Sequence, residues 1–221
     1  MRFQAPLQAA IVDLDGTMVD TLGDFHQALA ATFTGLGLPP LAADAIEPMV
    51  GKGSEHLIRA ALAHVGAGED RYEAAWQGYQ RHYALVNGRH SKVYEGVVEG
   101  LDELRARGLA LGCVTNKPTA FARVLLQDKG LAPFFRVVFG GDAFARKKPH
   151  PQPLLETCRA LQAPPERVLV VGDSSNDAAA ARAAGCPVVL VTYGYNHGEP
   201  VREVDADGLV DSLADIGRWI G

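Results

Sequence analysis

Short, uniformly apolar runs punctuate this chain, and longer segments with helical spacing separate them. The runs lie at residues 9–12, 109–114, 137–139, 168–171 and 188–191. Because helices cover both faces of a parallel sheet, such runs are typical of its buried strands. Helical patterns fill the intervals between the later runs, at residues 119–129, 151–161 and 176–184. This alternation predicts an α/β fold built on a doubly wound parallel sheet.

The interval between the first and second runs is too long for a single crossover helix. Apolar residues recur there at three- and four-residue steps, in two stripes: Phe25, Leu29, Phe33 and Leu36, then Leu57, Ala61, Leu62 and Val65. Stripes of this kind bury against each other. We therefore predict a small α-helical cap domain at residues 17–94, inserted into a core domain formed by residues 1–16 and 95–221.

Composition narrows the class of protein. The 221 residues are 48% hydrophobic and 21% charged, as in ordinary globular domains. A net charge of −5 argues against a nucleic-acid partner, which requires a basic surface. The apolar stretch at the start of the sequence is too short and too acidic to be a signal peptide or a membrane span. Three cysteines without a C-x-x-C pattern indicate neither a disulfide framework nor a zinc site. We expect a cytoplasmic protein, monomeric or homodimeric.

Polar residues that could catalyse a reaction or bind a ligand follow four of the predicted strands. They are Asp13 and Asp15 after the first, Thr115 and Asn116 after the second, Lys148 after the third, and Asp173 and Asp177 after the fourth. The carboxyl ends of parallel strands meet at one edge of the sheet, where ligands bind. The sequence therefore predicts that these side chains share one site.

The residue types at this edge indicate a phosphate site with a metal ion. A hydroxyl, an amide and a lysine can hold phosphate oxygens. Several carboxylates beside them would repel a phosphate unless a cation joined them, and hard oxygen ligands point to Mg²⁺. Taken singly, Asp-x-Asp-Gly is typical of a turn, Thr-Asn of a helix N-cap and a lone lysine of the surface. Their occurrence in order at four strand ends favours the functional interpretation.

These four motifs resemble those of the haloacid dehalogenase superfamily over nearly the whole chain. The resemblance implies a Rossmann-like core in which Asp13 is the nucleophile and Asp15 the general acid and base. It implies that Thr115 and Lys148 hold the phosphoryl group. It also implies an Mg²⁺ site made by the Asp13 carboxylate, the Asp15 backbone carbonyl and Asp173. Asp177 would orient a water molecule, or would orient the lysine from behind.

The strings TNKPTAF, GGDAFARKKPHPQPLL, VVGDSSNDAAAARAAGC and TYGYNHGEP are similar to those of bacterial phosphoglycolate phosphatases. This resemblance, together with an aspartate at position 15, implies a phosphatase for a small metabolite, with 2-phosphoglycolate as the expected substrate. Other substrates remain open, including sugar phosphates such as N-acetylmuramic acid 6-phosphate, and pyrophosphate. So do a phosphomutase like β-phosphoglucomutase and an idle phosphate-binding regulatory protein.

Selectivity among phosphate esters is expected to come from the cap. Lys52 lies between Gly51 and Gly53, where a flexible loop tip could lower its ammonium onto a substrate carboxylate. An ordinary exposed loop lysine is the competing interpretation.

Overall fold

A parallel sheet forms the centre of the computed structural model, which describes residues 6–220. Its strands are β1 (Ala9–Val12), β4 (Ala110–Val114), β5 (Val137–Phe139), β6 (Val168–Gly172), β7 (Val188–Val191) and β8 (Gly208–Val210). They run in the order β5-β4-β1-β6-β7-β8, and every pairing among them is parallel. The predicted fold class is thereby confirmed. The short strand β8, which begins with a glycine, was not predicted.

Successive residues of each strand enter two separate apolar clusters, one on each face of the sheet. In β1, Ala10 and Val12 belong to one cluster, and Ala9 and Ile11 to the other. The first cluster is covered by helices α5 (Val97–Ala106) and α6 (Thr119–Asp128), and the second by α7 (Gln152–Leu161) and α8 (Ser175–Ala184). Burial on both faces explains why the strands are apolar throughout.

The segment between β1 and α5 is mainly helical. Its helices are α1 (Leu22–Gly35), α2 (Ala43–Ile46), α3 (Ser54–His64) and α4 (Tyr72–Val86). The predicted apolar stripes of α1 and α3 meet in a third core, which α4 completes with Tyr79 and Tyr83. These two rings stack on each other with centroids 5.3 Å apart.

The chain passes between sheet and helices at a two-stranded ribbon. Strands β2 (Val19–Asp20) and β3 (Lys92–Val93) pair antiparallel, next to both ends of the helical segment. The expected boundaries at residues 17 and 94 lie beside this ribbon, and the division into two domains stays a prediction. Among residues 6–220, none of the helices has the combination of length and apolar character that crossing a membrane requires.

Candidate active site

The site begins at the carboxyl end of β1, where Asp13 and Asp15 follow the strand. Gly16 then takes a φ of +82°, a conformation in which side chains are strained. A Cβ on Gly16 would lie 2.2 Å from Asp173 Oδ2, a distance that no side chain tolerates. Because Gly16 has no Cβ, the Asp173 carboxylate can lie directly against it.

Three carboxylates meet at this edge of the sheet. Asp13, Asp173 and Asp177 each contribute an oxygen, and these oxygens lie within 4.8 Å of one another. Asp173 follows β6, the neighbour of β1, and Asp177 lies in the first turn of α8. Asp177 Oδ2 accepts hydrogen bonds from the Ser174 N–H at 3.2 Å and the Ser174 hydroxyl at 2.7 Å. This capping box fixes Asp177 through the start of its own helix.

Lys148 is the cation of this cluster. Its ammonium group donates to Asp177 Oδ1 at 2.6 Å and to the Val114 carbonyl at 2.8 Å. It also forms an ion pair with Asp13 Oδ1 at 2.9 Å. Burial alone would lower the pKa of Lys148, but the carboxylates of Asp13 and Asp177 outweigh it and raise that pKa above its usual value. Lys148 is thus a fixed positive charge beside Asp13.

The carboxylates are electrostatically strained despite this lysine. Burial raises the pKa of Asp13 to about 7, with Lys148 opposing the shift and Asp177 adding to it. Burial, followed by the charges of Asp177 and Asp13, also raises the pKa of Asp173 well above its usual value. In both residues the ionised carboxylate is less stable than it is in water, because the positive charge nearby does not compensate for burial. A further cation would stabilise the cluster.

The residues present fit a divalent metal ion. Carboxylate oxygens are the hard ligands that such ions prefer, and the cluster offers three. Asp13 Oδ1 is moreover a buried oxygen whose ion-pair partner at 2.9 Å, Lys148, is shared with Asp177. The Asp15 carboxylate is not part of the cluster, which leaves its backbone carbonyl for the ligand role that the resemblance implies.

Thr115 and Asn116 follow β4, which pairs with β1 on the other side. The Thr115 hydroxyl accepts the Lys117 N–H at 3.2 Å, so its proton is left for another acceptor. Asn116 Nδ2 donates to the carbonyls of Gly51 and Lys148, both at 2.9 Å. Both donors of this amide are therefore engaged within the protein. Of the two side chains, Thr115 is the one that keeps a donor for a phosphate oxygen.

The cap loop that carries Lys52 rests on the core. The Gly51 carbonyl accepts hydrogen bonds from Asn116 Nδ2 and, at 3.2 Å, from Asn176 Nδ2. His197 packs against the same glycine, and a Cβ on Gly51 would lie 2.8 Å from its Cε1. The Lys52 side chain is exposed. It is absent from the described residues that line the cavity beneath the loop.

That cavity, of about 30 Å³, lies between cap and strand ends. Core residues and cap residues both line it: Asp13, Asp15, Thr115, Asn116 and Lys117 from the core, and Phe25, Val50, Gly51, Gly53, Ser54, Leu57 and Tyr83 from the cap. Its volume corresponds to about two ordered water molecules. The helical segment therefore lies against the strand ends, and the space between them is small.

Lys117 is a charged residue of the site that sequence reasoning did not select. Its Nζ lies 2.8 Å and 3.2 Å from the two carboxylate oxygens of Asp15. The signal that could have found it was present, because Lys117 directly follows Thr115 and Asn116 at the same strand end.

Contacts that link Asp173 to the segment between β1 and α1 were also missed. Asp173 Oδ1 accepts the Thr17 hydroxyl at 3.0 Å, and Oδ2 accepts the Tyr195 N–H at 2.6 Å. The Tyr195 hydroxyl in turn donates to Asp20 Oδ1 at 2.5 Å and accepts the Thr21 N–H at 2.9 Å. Thr17 and Asp173 are 156 positions apart, and no local pattern signals such a contact.

Comparison with known proteins defines the class. The family model for haloacid dehalogenase-like hydrolases matches residues 10–191, a span that contains each of the predicted strand-end motifs. The chain belongs to the haloacid dehalogenase-like hydrolase family. The assignment made from the motifs is thereby confirmed.

Relatives within this family carry one recurring name. The chain is 40% identical to a phosphoglycolate phosphatase of Thiobacillus denitrificans, over 99% of this chain and 97% of that protein. It is 42% identical to a phosphoglycolate phosphatase of Nitrosospira multiformis, over 100% and 98% of the two chains. Its structure is similar, with a TM-score of 0.92, to that of a predicted phosphoglycolate phosphatase from Haemophilus somnus. That protein is 31% identical, and the match covers 97% of this chain and 98% of the other.

Proposed function

We propose that this protein hydrolyses 2-phosphoglycolate to glycolate and inorganic phosphate through an aspartyl-phosphate on Asp13. The observation that carries the proposal is the nearly buried Asp13 carboxylate, flanked by Lys148 at 2.9 Å and by the two other acids of the cluster. The names of the relatives support the substrate.

In this proposal the Asp13 carboxylate attacks phosphorus while the bond from phosphorus to the ester oxygen breaks. The Lys148 ammonium and the Thr115 hydroxyl stabilise the phosphoryl oxygens. Asp15 donates a proton to the departing alkoxide. It then accepts a proton from the water that cleaves the aspartyl-phosphate, which releases phosphate and restores Asp13.

We assign Mg²⁺ as the divalent ion, held by Asp13, Asp173 and the backbone carbonyl of Asp15. When bound, it supplies positive charge to the phosphoryl oxygens and to the nucleophile. Asp177 holds Lys148 in place, since Oδ1 accepts from that lysine and Oδ2 from Ser174. Asn116 acts mainly by joining the cap loop to the core, through its bonds to Gly51 and Lys148.

The proposal includes the division into a core of residues 1–16 and 95–221 and a cap of residues 17–94. A cap closed as in this structure would exclude bulk water while the aspartyl-phosphate forms. We place the enzyme in the cytoplasm, as a monomer or homodimer acting on a small phosphate ester.

A phosphate-release assay tests the substrate. The purified protein with Mg²⁺ would be assayed on 2-phosphoglycolate, N-acetylmuramic acid 6-phosphate, pyrophosphate and p-nitrophenyl phosphate. We expect the highest kcat/KM on 2-phosphoglycolate. A higher value on another ester would reject this substrate. Turnover of an added sugar bisphosphate without phosphate release would indicate a phosphomutase instead.

Acid-quench labelling tests the covalent step. Asp13→Asn should reduce turnover by more than about a hundredfold and abolish the labelled phosphoenzyme. Asp15→Asn should slow both the formation and the hydrolysis of the phosphoenzyme. Asp142→Asn, which changes an exposed carboxylate, is the matched control and should retain wild-type turnover. A labelled phosphoenzyme in Asp13→Asn would contradict the assignment of the nucleophile.

A further inference from the structure

A second buried lysine stands between the proposed acid–base residue and the cap. Lys117 is only 4% exposed, and its Nζ contacts both oxygens of Asp15. The cap rings of Phe25 and Tyr83 cover this ammonium group, with centroids 4.7 Å and 4.9 Å from Nζ. Lys117 also lines the cavity between the helical segment and the strand ends. Its charge is thus shielded from bulk water and available to a ligand in that cavity.

The phosphoryl group already has a cation of its own. Lys148 lies beside Asp13 and is bonded to Asp177. Lys117 lies on the Asp15 side, which is where the leaving group must be if Asp15 is to protonate its oxygen. Lys117 is therefore placed to meet the alcohol part of the ester and not its phosphoryl part.

Pairing with Asp15 does not account fully for this lysine. A general acid must present an oxygen to the leaving group at about 2.6–3.2 Å. Here both Asp15 oxygens are in contact with Lys117 Nζ, at 2.8 Å and 3.2 Å. A substrate anion that takes over the ammonium would free an Asp15 oxygen when the reaction needs it. An ion pair between the Lys117 ammonium group and a substrate anion is stronger in a buried site than at the surface.

The other lysines near the cap loop are less well placed. Lys52 is exposed, and Lys147 is paired with Glu55 at 3.3 Å. Among the described residues that line the cavity, Lys117 is the only lysine or arginine.

On the basis of the proposed function, we propose that Lys117 Nζ binds the carboxylate of the substrate. It thereby selects phosphate esters whose alcohol carries a carboxylate on the carbon that bears the ester oxygen. The ammonium passes from Asp15 to the substrate carboxylate on binding and returns when the hydroxy acid leaves. Selectivity then lies in a core residue, in contrast to the expectation that it lies in Lys52 of the cap.

Two substrates that differ in one group test this inference. Ethyl phosphate has a methyl group where 2-phosphoglycolate has its carboxylate. The quantity measured is kcat/KM for 2-phosphoglycolate divided by kcat/KM for ethyl phosphate, in the presence of Mg²⁺. It would be determined for the wild type and for Lys117→Met, Lys117→Arg, Lys52→Met and Lys147→Met. We expect Lys117→Met to lower the ratio about 10- to 100-fold in favour of ethyl phosphate. Lys117→Arg should retain most of the preference, and Lys147→Met should leave it at the wild-type value.

Three outcomes would overturn the inference. Equal losses on both substrates in Lys117→Met would mean that Lys117 only positions Asp15. A ratio lowered by Lys52→Met and not by Lys117→Met would assign the carboxylate to the cap loop. A wild type that shows no preference for 2-phosphoglycolate would reject the proposed function itself. Circular dichroism would check folding, and Lys117→Gln, also uncharged, would replace Lys117→Met if that variant does not fold.

Discussion

Replacing the proposed nucleophile should stabilise the metal-free protein, and the gain should depend on pH. In the folded protein, burial raises the pKa of Asp13 to about 7 from an ordinary value of 3.8. A carboxyl group with a raised pKa binds its proton more tightly when folded than when unfolded. Its ionisation therefore costs stability as pH rises from about 4 to 7, and the full penalty remains above that range. Asp13→Asn removes an ionisable group and escapes this penalty.

The size of the effect follows from the shift. A difference of about 3 pKa units corresponds to about 4 kcal/mol at pH 8, where Asp13 is ionised in both states. At pH 5 the folded protein keeps Asp13 protonated while the unfolded chain does not, and the penalty is about 2 kcal/mol. The stability difference between variant and wild type should therefore grow by about 2–3 kcal/mol from pH 5 to pH 8. For a protein of this size, that is about 5–10 °C in Tm.

Thermal unfolding in EDTA, at intervals from pH 5 to pH 8, measures this change. The trend with pH is the informative quantity, because loss of the ion pair with Lys148 shifts the absolute difference. Asp142→Asn is the matched control. Partial burial acts to raise the pKa of the Asp142 carboxyl, but hydrogen bonds from Thr119 outweigh it and hold that pKa below its usual value. The stability difference between Asp142→Asn and the wild type should therefore stay constant from pH 5 to pH 8. Excess Mg²⁺ should raise the wild-type Tm at pH 8 more than that of Asp13→Asn. A pH-independent difference for Asp13→Asn would refute the reasoning.

Three further predictions concern the same edge of the sheet. Gly16→Ala places a Cβ 2.2 Å from Asp173 Oδ2 and should weaken Mg²⁺ binding about 10- to 100-fold, as measured by calorimetry; unchanged affinity would contradict it. Tyr195→Phe leaves the Thr21 N–H without its partner and should cost about 1–3 kcal/mol in urea unfolding; an unaltered midpoint would show that the contact contributes nothing. Calcium should bind yet fail to support turnover, because its larger coordination number engages both oxygens of the nucleophile; full activity in calcium would oppose this.

The backbone positions of the site were predictable because topology alone determines them. Once the apolar runs are assigned as adjacent parallel strands, Asp13, Thr115 and Asp173 must emerge at one edge, and the register pairs Val12 with both Cys113 and Val171. The helical insertion was predictable for a similar reason, since the spacing of Phe25 and its neighbours repeats with the helix period. Sequence alone did not predict β8, where only three residues pair with β7.

The partners of long side chains could not be predicted, because motif spacing locates a backbone and not the reach of a side chain. Lys117 and Lys148 both follow strands on the same edge, yet one bonds Asp15 and the other bonds Asp177. The two lysines differ in their surroundings, because the rings of Phe25 and Tyr83 cover the Lys117 ammonium group. In our proposal, the packing of the cap helices therefore gives the two halves of the ester different cations, and that packing has no local signature in the sequence.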